Sequence, residues 1–122
     1  MQKLSEATLA AIGRMTVAAT DLEHALASLS DSPASLSDSP AALFDSPGAA
    51  LRAARDTSAS QADDVRHWIE GSATQLVQSQ AALRAIWRGG RTDPALFDEI
   101  TARLLRCREA LAEAQGLRAT AP

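Results

Sequence analysis

Residues 94–114, PALFDEITARLLRCREALAEA, decide the fold of this chain. Apolar side chains recur there at alternating steps of three and four residues, at Phe97, Ile100, Leu104, Cys107, Leu111 and Ala114. This heptad spacing predicts a helix whose apolar stripe packs against other helices. Asp93 and Pro94 are suited to cap and begin that helix, and Gly116 is predicted to end it.

The N-terminal segment has the same spacing and predicts a helix over residues 5–29, with Ser5 as its N-cap. Its apolar seam consists of Thr8, Ile12, Met15, Ala19, Leu22, Leu26 and Leu29. Three copies of a seven-residue unit containing Asp-Ser-Pro then follow over residues 30–50, and their Ser/Asp/Pro-rich part, residues 30–47, is predicted to be a connector. Because a proline every seven residues interrupts a helix, only the last copy is predicted to start one, over 47–56. The repeat is either a connector lengthened by duplication or a set of Ser-Pro phosphorylation or docking sites.

A second long helix is predicted to begin near Ser60, which has capping-box spacing to Asp63. Arg66 and Glu70 lie four residues apart and are predicted to pair on its exposed side. The Gly89-Gly90 pair is predicted to end it. Its seam consists of Val65, Ile69, Ser72, Leu76, Ser79 or Gln80, Leu83, Ile86 and Trp87.

The composition agrees with an all-helical chain of one domain over residues 1–122. It contains 27 Ala and 15 Leu but only 3 Val and 4 Ile, whereas strands favour β-branched and aromatic residues. We therefore predict an all-α fold, a small antiparallel bundle of three long helices and one short helix, with a frayed tail at 117–122. The seams are rich in Ala and polar residues, so the core of one copy is thin and self-association is favoured.

Charge and cysteine usage exclude several classes of protein. The net charge of −3 disfavours nucleic acid and anionic membranes as partners, although residues 84–108 carry 6 Arg against 3 acids. A single cysteine excludes an internal disulfide. Neither His24 nor His67 has a second ligand three or four residues later on a shared seam, and Asp63, four residues before His67, is expected to form a solvated ion pair with it rather than a metal site. No cofactor, metal or catalytic residue is predicted, and a bacterial cytoplasmic location is the expectation.

Polar residues within the second long seam are the most suggestive functional signal. Ser72, Ser79 and Gln80 interrupt it, and buried polar groups need partners. Such residues either line a shared site between helices or set the register of a dimer. The candidate ligand or partner strip consists of Glu23, Ser79, Gln80, Arg84, Trp87 and Arg88. In the site interpretation, Glu23 supplies a carboxylate to Arg84 if the two helices pack antiparallel.

The chain resembles the HEPN helical domains, in Gly13-Arg14-Met15 through Leu22-Glu23 and then in Trp68, Ala73, Leu76 and Ser79 to Trp87. That family pairs a Leu-Glu helix with a later helix ending in Arg-Asn, three residues, His and often an aromatic residue. Here Ser79 and Gln80 stand at the Arg and Asn positions and Arg84 at the His position, while Trp87 matches the aromatic residue. The resemblance implies a dimeric helical shape and RNA or nucleotide binding. The missing histidine argues against nuclease catalysis.

Trp87-Arg88-Gly89 between two helices also resembles the WXG family of type VII secretion substrates, which are small helical hairpins. Three functions are therefore possible. The first is a non-catalytic helical interaction or regulatory module, which forms a homodimer or binds a protein partner through a heptad face. The second is a HEPN-like RNA- or nucleotide-binding protein of the toxin–antitoxin type, and the third is a secreted helical hairpin. The sequence favours the first.

Overall fold

The structure is a computed structural model that describes residues 3–29, 48–56 and 63–116 in full, and the helical backbone as far as Thr120. Its helices are α1 (Glu6–Leu29), α2 (Ala49–Asp56), α3 (Asp63–Ile86) and α4 (Pro94–Thr120). Within these residues there is no strand. The predicted bundle of three long helices and one short helix is confirmed. The connector at 30–47, the Ser60 cap and the tail at 117–122 lie outside the fully described residues.

The start of α1 follows the predicted capping pattern. The backbone N–H of Thr8 donates to Ser5 Oγ at 3.1 Å, and the hydroxyl of Thr8 donates to the carbonyl oxygen of Thr92 at 2.5 Å. The first contact satisfies an N–H that has no partner within the helix. The second joins the N-terminus of α1 to the residues just before α4.

The turn between α3 and α4 depends on its two glycines, as predicted. Gly89 has a φ of 77°, a left-handed conformation that strains residues with a side chain. The N–H of Gly90 donates to the carbonyl oxygen of Ala85 at 2.8 Å, and a Cβ on Gly90 would lie 2.8 Å from that same oxygen. Only a residue without a Cβ therefore closes this turn without strain.

The predicted end of the last helix is wrong, because α4 continues through Gly116 to Thr120. Gly116 is exposed, and a Cβ built on it would meet nothing within 4 Å. A glycine inside a helix costs only about 1 kcal/mol relative to alanine, which the turns on either side can offset.

The long helices run up, down and up. Three contacts join α1 to α4 at a nearly constant offset in residue number: Thr8 to Thr92, Arg14 to Asp98 and Asp21 to Arg108. A constant offset means that α1 and α4 run parallel. The turn at 87–93 joins α3 to the start of α4, so α3 runs antiparallel to both. The short α2 packs against α1 and α3.

The core consists of the three predicted seams, with some shifts. Every predicted seam residue of α4 is buried, as are Met15, Leu22 and Leu26 of α1. On α1, Ala11 and Ala18 are buried, whereas their predicted neighbours Ile12 and Ala19 are only partly buried. On α3, Ser79 is buried rather than Gln80, and Trp87 is exposed.

The ion pair predicted between Arg66 and Glu70 is replaced by two others. Arg66 contacts Asp63, one turn earlier on α3. Glu70 accepts two hydrogen bonds from Arg55 of α2, at 2.8 and 2.9 Å, which lowers the pKa of its carboxyl group. The planar guanidinium matches a carboxylate in two places at once, and this geometry ties α2 to α3.

Among the described helices, none is long and apolar enough to cross a membrane.

Candidate interaction surface

Four of the six predicted strip residues form one exposed face at the end of α3. Gln80, Arg84, Trp87 and Arg88 lie at helical spacing and are all exposed, with Trp87 at 67%. The backbone bonds Trp87 N to Arg84 O and Arg88 N to Ala85 O continue the helical path past Ile86. Neither Arg84 nor Arg88 has an ion pair with any described residue. Ser79 lies in the core instead.

Glu23 does not meet Arg84, so this part of the predicted site is wrong. The helices are antiparallel as the hypothesis required, but Arg84 is at the end of the bundle that holds Thr8 and Thr92. Glu23 is fifteen residues beyond Thr8 on α1, about 22 Å away at 1.5 Å per residue. Its partial burial raises the pKa of its carboxyl group.

The buried serines of α3 are satisfied within their own helix. Ser72 Oγ donates to the carbonyl oxygen of Trp68 at 2.7 Å, and Ser79 Oγ donates to that of Leu76 at 2.8 Å. Burial raises the pKa of the thiol of Cys107 on α4, and the nearby Ser72 opposes that rise only in part. Since these hydroxyls already have partners, they do not call for a ligand between the helices.

An apolar concavity lies elsewhere, on the outer side of α1 and α4. We call it the α1–α4 groove; its volume is about 690 Å³, and it is lined by Gly13, Arg14, Val17, Ala18, Asp21, Thr101 and Leu105. Val17 is 70% exposed and Leu105 is 50% exposed, although both are large and apolar. Gly13 leaves one side open, since a Cβ there would meet nothing within 4 Å.

An ion pair joins the two helices toward each end of the groove. Arg14 donates to both carboxylate oxygens of Asp98, at 3.0 and 3.2 Å. Arg108 Nε lies 3.3 Å from Asp21 Oδ2. On α1, therefore, a positive and a negative residue stand on the two sides of Val17.

Sequence reasoning missed this groove, although a signal for it is present. A second set of residues on α1 has heptad spacing and lies on the face opposite the core: Ala10, Gly13, Val17, Thr20 and His24. Most of these residues are small or polar, so the apolar periodicity that reveals a core is weak here. The groove also needs Leu105, and only the fold shows which side of α4 lies beside α1.

The described residues contain no group of three or more His, Cys, Asp or Glu side chains that could hold a metal ion.

Comparisons of the chain with protein-family models, with curated proteins and with solved structures each give no match. The class that the fold and surface define is a small all-α bundle with an exposed apolar groove between α1 and α4.

Proposed function

We propose that this protein is a non-catalytic helical interaction module that forms a homodimer through the α1–α4 groove. The observation that supports it is the exposure of Val17 and Leu105 side by side in one concave surface. Fully burying a Val or Leu side chain contributes roughly 1.5–3 kcal/mol, and a symmetric contact counts each residue twice. A few such residues, well packed at the centre of an interface, carry most of its binding free energy.

A second copy is the occupant that suits this surface best. The groove edges carry one arginine and one aspartate of α1, Arg14 and Asp21, each paired with an oppositely charged residue of α4, so the edges are neutral and present both signs of charge to a second copy. A two-fold axis brings the same patch of both copies together and therefore requires such self-complementarity.

The first test is the absolute mass of the untagged full chain by light scattering, over roughly a hundredfold range of concentration. We expect a dimer that dissociates on dilution. The variant Val17→Arg places a charge in the groove and should give a monomer with an unchanged circular dichroism spectrum. Val77→Arg is the matched control, because Val77 is 64% exposed on α3, away from the groove. A wild-type monomer at every concentration, or equal effects of the two variants, contradicts the proposal.

A second candidate function, RNA or nucleotide binding, is supported by a different observation. Arg84, Trp87 and Arg88 form an exposed aromatic and cationic face, on which a base can stack while the arginines contact phosphate. The HEPN resemblance suggests the same class of ligand. The negative net charge of the chain opposes binding to phosphate and makes this candidate weaker than the homodimer.

Fluorescence anisotropy with a labelled single-stranded RNA of mixed sequence tests this candidate. We expect binding at low salt that weakens steeply as salt is added, because phosphate contacts release counterions. Trp87→Ala and Arg84→Ala should each reduce affinity, whereas Arg66→Ala, at the other end of α3, should not. No binding of the wild-type protein at low salt excludes the candidate.

A further inference from the structure

We infer that the two copies pack with their α1 helices antiparallel, with Val17 on the two-fold axis and Arg14 of each copy beside Asp21 of the other. This inference rests on the proposed homodimer and specifies its geometry. It is carried by the order of residues along the exposed face of α1 and by the position of α4 beside it.

The two ends of the exposed stripe of α1 lie at equal distances from Val17. Ala10 and His24 are seven residues from it on either side, and Gly13 and Thr20 lie within that span, so all five stand at steps of three and four residues. In an antiparallel pair centred on Val17, Ala10 therefore meets His24 of the second copy. The small Ala10 then faces the larger His24, which suits close packing better than His24 against itself.

The charges favour the antiparallel pair. Arg14 is three residues before Val17 and Asp21 is four residues after it, so reversing one helix brings Arg14 beside Asp21 of the second copy. Within its own chain Arg14 is paired with Asp98 and Asp21 with Arg108, so the contact between copies extends two existing ion pairs rather than neutralising free charges. Gly13, which lacks a side chain, provides space for the Asp21 carboxylate of the second copy. Opposite charges at the rim of an interface favour the correct register, although each exposed pair contributes only about 0–1 kcal/mol.

The position of α4 gives a second reason. A two-fold axis perpendicular to α1 keeps α4 of both copies on the same side, so that the two α1–α4 grooves face each other. Leu105 of both copies then lies beside the Val17 pair. In a parallel pairing of the two α1 helices, the α4 helices would lie on opposite sides, and Arg14 would have no carboxylate of the second copy beside it.

Cysteine cross-linking in full-length protein carrying Cys107→Ala tests the geometry. After oxidation with copper phenanthroline, Val17→Cys should cross-link to itself, because a residue on the axis meets its own copy. A mixture of tagged Ala10→Cys with untagged His24→Cys should give mainly the mixed disulfide. Val77→Cys, equally exposed on α3, is the control that should remain monomeric on the gel.

The outcomes separate this inference from the proposed function. If light scattering shows a dimer but Ala10→Cys and His24→Cys each cross-link only to themselves, the two α1 helices are parallel. That outcome overturns this inference and leaves the proposed homodimer standing. A dimer in which Val17→Cys links only to Leu105→Cys, in a mixture of those two variants, also overturns the inference. A wild-type monomer overturns both. Mixed disulfides at the 10 and 24 positions, with self-linking at 17, support the inference.

Discussion

Leu104 and Leu105 are adjacent in sequence but have different environments, so they test the fold and the proposed interface separately. Leu104 is 0% exposed in the core, and Leu105 is 50% exposed in the α1–α4 groove. Replacing each with alanine removes the same atoms from the same helix. Any difference in effect is therefore due to the environment of the side chain.

We expect Leu104→Ala to lower the free energy of unfolding by about 2–5 kcal/mol, because it removes buried contacts and leaves a cavity. Domains of this size are stable by about 5–15 kcal/mol, so the loss is a large fraction. With a urea m-value of about 2 kcal/mol/M, the unfolding midpoint should fall by about 1–2.5 M. Leu105→Ala should cost the single chain less than about 1 kcal/mol, since half of the side chain is already in water.

The dimer should show the opposite ranking. Each dimer loses two Leu105 side chains, so Leu105→Ala should weaken association by about 1.4–2 kcal/mol, or about tenfold to thirtyfold in Kd. Urea unfolding followed by circular dichroism, at concentrations well below Kd, measures the first effect. Sedimentation velocity across the dimer transition measures the second. The reasoning is refuted if both variants unfold at the same urea concentration below Kd, or if Leu105→Ala leaves the dimer unchanged.

Three further predictions concern the fold. Gly90→Ala should destabilise the chain by about 1–3 kcal/mol, because its Cβ would lie 2.8 Å from a carbonyl oxygen of α3. Gly116→Ala, inside α4, should instead stabilise the chain by about 0.5–1 kcal/mol. The urea unfolding midpoints of the two variants measure both effects, and equal shifts would contradict the contrast. Ser72→Ala should change the free energy of unfolding by no more than about 1 kcal/mol, since its hydroxyl bonds within its own helix; a loss above about 3 kcal/mol in the same assay would mean a larger role. Glu70 has a lowered pKa in the folded chain, so its pair with Arg55 stabilises the fold above the unfolded pKa, and that contribution is lost as the pH falls through the folded pKa. The difference in unfolding free energy between wild type and Glu70→Gln should therefore be about 0.2–1 kcal/mol near neutral pH and vanish in acid, and a difference that grows in acid would contradict the assignment.

Some elements could be predicted from the sequence because their signals are local. The seam of α4 from Phe97 to Ala114 is buried in full, and α1 includes the predicted residues from Glu6 to Leu29. Capping depends on residues three or four positions apart, as the contact between Ser5 and Thr8 shows. Where the spacing was ambiguous, as at Ser79 and Gln80, the packing of the other helices decided which side chain is buried.

The candidate site was predicted less well, because a site depends on register between helices. Gln80, Arg84, Trp87 and Arg88 share a face, as their spacing on one helix requires. The pairing of Glu23 with Arg84 is wrong, since antiparallel packing does not determine how far one helix slides along another. Here the bond from Thr8 to Thr92 sets that offset.

The sequence by itself determined the helical class, the heptad seams and the glycine turn between α3 and α4. These depend on the chemistry of residues within one or two turns of each other, and such interactions are present in any conformation that forms the helix. Only the tertiary structure decided that α1 and α4 lie side by side and parallel, and that Val17 and Leu105 share a groove. Those residues are far apart in the chain, and their contact follows from the packing of three helices around one core rather than from any local preference.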